Sequence, residues 1–272
     1  MADGAHTSTG TLLQASDLAP TLVLRTAPNG LRYTSYGETK LEDPELERIV
    51  QAVPASIVPA LATRAFYFVP LALPEAAVRS ESHRGASENT LISSAYTSEL
   101  SDEAICHRNV AIAASASAGA HEGVFISARL LRDTFALAFE FFINVGHAFA
   151  GETGIPEAFG TLAWTQALSD VRGETSQDAF EARNLAIGGN GPNPDKSRPD
   201  EKAKTEFIES AFADALAIYL LSLAVDFDYS ELREREYPLL APSALADRLR
   251  LIARLFPPNP GYEFFIRYRR RA

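Results

Sequence analysis

The sequence predicts an α+β fold, with a small N-terminal mixed sheet followed by a mostly helical C-terminal half. Three observations carry this. Short runs rich in β-branched and aromatic residues, such as "RAFYFVP" and "GVFIS", are confined to the first 127 residues. Long apolar stretches follow, among them "TFALAFEFFINVGHAFA" and "AFADALAIYLLSLAV". Strands and helices do not alternate as a parallel βαβ sheet would require. A chain of 272 residues, 46% hydrophobic and 22% charged, can bury a substantial core.

Residues 1–20 read as a loose N-terminus, 21–127 as the sheet subdomain and 128–272 as the helical subdomain. "TLVLRT" and "LRYTSYG" flank the turn residues "APNG" and predict a hairpin. Asp43-Pro44 starts a helix through "ELERIVQAV", because proline suits the first turn, and Pro54 and Pro59 end it. "RAFYFVP" is a strand closed by proline, and residues 74–104 read as a long polar loop with some helix. "NVAIAASA" and "GVFIS" are two further strands. Helices are expected from about Ala128 to Ala150, over "GIPEAFGTLAWTQALSDV", from about Glu201 to Val225, and over "SALADRLRLIARLF" before Pro257. "GGNGPNPDKSRPD", residues 188–200, reads as a mobile loop, and no internal repeat is present.

A net charge of -10 and a pI near 5.1 argue against a general nucleic-acid binder. The one basic cluster, Arg267 with Arg269, Arg270 and Arg271, reads as a solvated terminus. A single cysteine, Cys106, excludes an intramolecular disulfide and fits a reducing compartment. No basic segment followed by an apolar one opens the chain. The two longest apolar runs contain Glu140, Asn144, His147 and Asp214, so they read as buried helices rather than membrane spans. The expectation is a cytoplasmic protein without membrane or nucleic-acid partners.

One stretch carries chemistry: "FFINVGHAFAGETGIP". It is similar to the zincin metallopeptidase helix ending "HELGHAL…ELGLP" of small bacterial metallopeptidases, with Gly146, His147, Ala148, Glu152, Gly154 and Pro156 at matching positions. Zincins carry H-E-x-x-H on a helix that follows a strand along the cleft. Two histidines four apart reach one zinc and the glutamate activates its water. "GVFISARLL" resembles that strand. "EFIESAFADALAIYL" resembles the third-ligand helix of zincins related to lethal factor, through Phe212, Ala213, Asp214, Leu216 and Ala217. The resemblance spans roughly residues 60–256 and implies a zincin-like fold.

The motif itself is degenerate: Ile143, Asn144, Val145, Gly146 and His147 stand on its five positions. Ile143 has no lone pair for a metal, and the Asn144 amide cannot take a proton from water at neutral pH. The third-ligand position falls on Ser210, beside Glu209. The resemblance therefore implies a protein that has lost zinc peptidase chemistry, with no zinc expected. Its former active-site cleft would be kept for a peptide, a protein or a small polar ligand. Asn144 and His147, three apart, would recognise it with Glu209, Asp214 and Glu152. Two alternatives stand beside this. In one, an enzyme uses His147, Asn144 and nearby carboxylates for another reaction, with or without a metal site rebuilt from His147 and Glu209, Asp214, Glu206, Glu152, His121 or Glu122; the aspartate at the Asp214 position resembles a residue supporting the ligands. In the other, the chain is an interaction subunit. Adjacent Cys106 and His107 form no ready nucleophile–base pair, and there is neither a G-x-S-x-G elbow nor a P-loop.

Overall fold

The computed structural model describes residues 11–74, 90–114, 119–129, 133–188, 200–232 and 237–267. It is α+β, with the strands in the first half and five of the eight helices among the described residues beginning after residue 133. The chain divides into two compact units, residues 1–51 with 62–140, and residues 52–61 with 141–272.

The first unit holds two sheets. The larger contains β2 (Arg25–Thr26), β3 (Arg32–Ser35), β4 (Arg64–Val69), β7 (His107–Ile112) and β8 (His121–Ser127), in the order β2-β3-β4-β8-β7. β3, β4 and β8 run parallel, while β2 and β7 pair antiparallel at the two edges. The expected hairpin is present but short, pairing Arg25 with Tyr33 and Thr26 with Arg32. Gly30 closes its turn at φ 94°, a conformation that glycine takes without a Cβ clash. β4 is buried on both faces. Ala65, Tyr67 and Val69 join one core cluster, and Phe66 and Phe68 alternate with them in the strand.

The smaller sheet is antiparallel: β1 (Leu12–Gln14), β6 (Thr90–Ser93) and β5 (Leu71–Pro74), in the order β1-β6-β5. It corrects two expectations. Residues 11–20 are not loose, because β1 pairs with β6 and the short helix α1 (Ala15–Leu18) places Ala15 and Leu18 in the core. The polar run from 74 to 104 also contains β6 and a one-turn helix α3 (Ser98–Ser101), with residues 75–89 outside the described ones. Ser127, wholly buried, links the two sheets. Its hydroxyl donates to the Ile105 carbonyl at 2.5 Å and accepts from the Ala72 amide at 2.8 Å.

Helix α2 (Asp43–Gln51) begins at Asp43-Pro44 as expected. α4 (Thr134–Thr153) begins later than the apolar run suggested, because the Asp133 side chain accepts from the Ala136 amide at 2.6 Å and fixes the start there. The second unit then contains α5 (Glu157–Leu168), α6 (Gln177–Ile187), α7 (Glu201–Ala224) and α8 (Pro242–Leu255). α6 was not expected. Its Ser176 cap accepts from the Ala179 amide at 3.2 Å, and Gly188 ends it at φ 85°. α4 and α7 are each long and apolar enough to cross a bilayer; 72% of that window is buried inside the fold in α7, as in a core helix, and 44% in α4. Residues 189–199, most of the predicted mobile loop, and the final arginines Arg269, Arg270 and Arg271 lie outside the described residues.

Candidate functional site

α4 and α7 carry the residues singled out from the sequence. Along α4, Asn144, Val145 and Gly146 are buried, Ile143 is half-buried and His147 is exposed. Ile143 and His147, four apart, share the more open face, and Asn144 turns inward. Gly146 has a packing reason. A Cβ there would lie 2.6 Å from the Ala213 carbonyl oxygen of α7, so only glycine lets the two backbones approach this closely. Phe149 and Phe159 flank the contact, their rings 6.3 and 5.0 Å from that of Phe212.

On α7, Glu206 and Glu209 are exposed, Ser210 is half-buried and Asp214 is buried; Glu152, in the last turn of α4, is exposed. Glu209 and Asp214 thus occupy different faces of one helix. Asp214 accepts a hydrogen bond from the Thr175 hydroxyl at 2.9 Å. Among the described residues no three His, Cys, Asp or Glu side chains gather as a group able to hold a metal ion.

The other histidines and carboxylates weighed from the sequence are held in the first unit. His121 and Glu122 belong to β8 rather than preceding it. The His121 ring lies between the Tyr67 hydroxyl at 2.8 Å and the Gly119 carbonyl at 2.9 Å. The Tyr67 hydroxyl, deprived of water by burial, is pushed up to about 12. Glu122 pairs with Arg64 at 2.6 Å. β8 is bonded on both sides, by β4 and β7, so β7 rather than β8 lies at the edge of the sheet. His107 Nδ1 meets Glu140 Oε1 at 2.5 Å, an exposed pair between β7 and α4.

A second polar cluster is one that the sequence did not reveal. Glu174 and Arg248 are both wholly buried and meet in a two-pronged ion pair, at 2.8 and 3.2 Å. Arg248 Nε donates to Gln166 at 2.8 Å, and Gln166 donates to the Ala244 carbonyl at 3.1 Å. Arg183 of α6 donates to the carbonyls of Val171 at 2.6 Å and Gly173 at 3.0 Å. Backbone bonds tie the same segment to the start of α8, from the Glu174 amide to the Pro238 carbonyl and from the Leu240 amide to the Glu174 carbonyl. One signal was available. Leu245, Arg248, Leu249 and Ile252 form an i, i+3, i+4, i+7 stripe, and an arginine on an otherwise apolar stripe needs a buried partner.

Comparisons with protein-family models, with curated proteins and with solved structures give no match for this chain.

Proposed function

We propose that this chain is a soluble zincin-like protein that has lost zinc peptidase chemistry and uses the former metal-site helix, α4, to bind a peptide, a protein or a small polar ligand. The order of parts supports the reading: strand β8, then the helix with the degenerate motif, then the later helix α7. The observation that carries it is the set of side chains at the metal-site positions. Ile143 stands for the first ligand, Asn144 for the base and Ser210 for the third ligand, while His147 remains exposed on α4. An imidazole next to a half-buried aliphatic side chain suits recognition of a polar group better than activation of water.

A second reading is an interaction subunit, and the tight fit of Gly146 against Ala213 leaves room for it by weakening the case for a metal-site origin. Helix packing alone accounts for that glycine, the residue before His147, without any ancestral metal.

Restoration of the site separates the two. The triple variant Ile143→His, Asn144→Glu, Ser210→Glu supplies two ligands and the base around His147. In the zincin-like reading it binds about one zinc per chain by atomic emission, and His147→Ala added to it abolishes that binding. A folded triple variant without zinc overturns the zincin-like reading. Stoichiometric zinc on the unaltered protein overturns the loss of zinc chemistry.

A further inference from the structure

Among the described residues, the charged core of the second unit contains one buried carboxyl outside its ion pairs. Asp214, 5% exposed on α7, is reached by the hydroxyls of Thr175 and Ser176. Those residues are the last before α6 and its cap. The Tyr237 hydroxyl donates to the Thr175 carbonyl at 3.0 Å, so the segment leading to α8 grips the same residue. Arg248 is occupied by Glu174 in both prongs and by Gln166 through Nε. Asp214 therefore lies near a cation already engaged with Glu174 and Gln166, and near a carboxylate that repels it.

We propose that Asp214 is a proton-operated latch in the second unit: with its proton it tightens the packing of α7 against the start of α6 and the segment before α8, and on losing it that packing loosens. A neutral carboxyl can sit among hydroxyls with no charge to desolvate, whereas an ionised one stays buried with hydroxyl partners and Glu174 nearby. Burial is the largest influence and pushes the carboxyl up to about 6, against the opposing hydrogen bonds of Ser176 and Thr175. Glu174 raises it further and Arg248 lowers it.

The charged and titratable groups around the latch come from each neighbouring element. They are Glu174 from the segment before α6, Arg183 from α6, Tyr229 and Tyr237 from the stretch between α7 and α8, and Arg248 from α8. α4 meets α7 one residue earlier, at Gly146 and Ala213, and its titratable groups there, His147 and Glu152, are exposed. The sign follows from the ordinary value of 3.8 for the unfolded chain. The folded state holds a proton that the unfolded state has released. The stabilisation is complete below 3.8 and is lost as pH rises through about 6.

The test compares thermal melts of the protein and Asp214→Asn at pH 4 and pH 8. Asparagine keeps an acceptor for Thr175 and carries no charge. The expected result is a variant more stable than the unaltered protein at pH 8, by on the order of 5 °C, with most of that gap gone at pH 4. A gap that does not change with pH overturns the proposal. The carbon resonance of the Asp214 carboxyl in the unaltered protein gives a second measurement, decisive by itself if the variant does not fold. A midpoint between pH 5 and 7 supports the latch, and a midpoint outside that range overturns it.

Discussion

Arg248 and Glu174 face each other with neither side chain exposed, joined by bonds of 2.8 and 3.2 Å across 74 residues of sequence. Removing two charges from water is expensive, and the pair offsets that cost only while both partners are present.

Arg248→Met should therefore destabilise the protein by about 3–5 kcal/mol, because it leaves Glu174 buried with only the longer 3.5 Å contact to Arg183. Glu174→Leu should cost a similar amount. The double variant should be markedly more stable than the sum of the two losses. Urea unfolding of the three variants measures the coupling, and additive losses would show that the two side chains act independently.

Two glycines of α4 offer a contrast. Gly146→Ala forces a methyl to within 2.6 Å of the Ala213 carbonyl oxygen and should cost about 1–3 kcal/mol. A methyl on Gly151 would meet nothing within 4 Å, so Gly151→Ala should stabilise by roughly 0.5–1 kcal/mol through the unfolded chain. Thermal melts that rank the two in the reverse order would contradict the close approach of α4 and α7.

Asn144 and His147 should separate in stability. Asn144 is buried, so Asn144→Ala should cost about 1–3 kcal/mol, whereas exposed His147→Ala should stay within about 0.5 kcal/mol of the unaltered protein. His147→Ala is thus the cleaner probe of binding. A lost ligand in Asn144→Ala must be read beside its circular dichroism.

In the first unit, Ser127→Ala removes the hydroxyl that serves the Ala72 amide and the Ile105 carbonyl at once. The expected loss is about 1–3 kcal/mol, the cost of leaving a buried polar group without its partner. Faster hydrogen exchange of the Ala72 amide checks it, and unchanged exchange would mean that the link between the sheets is dispensable.

Much of the fold was legible because its elements carry strong local signals. Asp43-Pro44, Pro70 after β4 and the "APNG" turn mark boundaries through fixed φ, a missing N–H or a positive φ, and each boundary falls where those constraints put it. α6 and the smaller sheet were not legible. "QDAFEARNLAI" has no strong apolar stripe, and its start depends on Ser176. β1 and β6 are short, and they acquire meaning only when paired across some 80 residues. For the candidate site, residue types could be read on α4 and α7, but side-chain direction could not. Inward Asn144 and outward His147 look alike in a sequence. The Glu174–Arg248 pair was hidden for the same reason, since its halves lie in separate elements joined only by tertiary structure.

The hydrogen bonds of Asn259 bear on how the protein is made. Its side chain donates to the Val53 carbonyl at 2.8 Å and accepts from the Ala55 amide at 2.8 Å, more than 200 residues back along the chain. Residues 52–61 belong to the helical unit, so the ribosome completes that unit only after translating residues 141–272 as well. The sheet-bearing unit can assemble first, since both of its pieces, residues 1–51 and 62–140, have emerged before the second piece of its neighbour. A protease cut or a gene split near residue 140 would then yield an incomplete C-terminal product, lacking the strip that Asn259 holds.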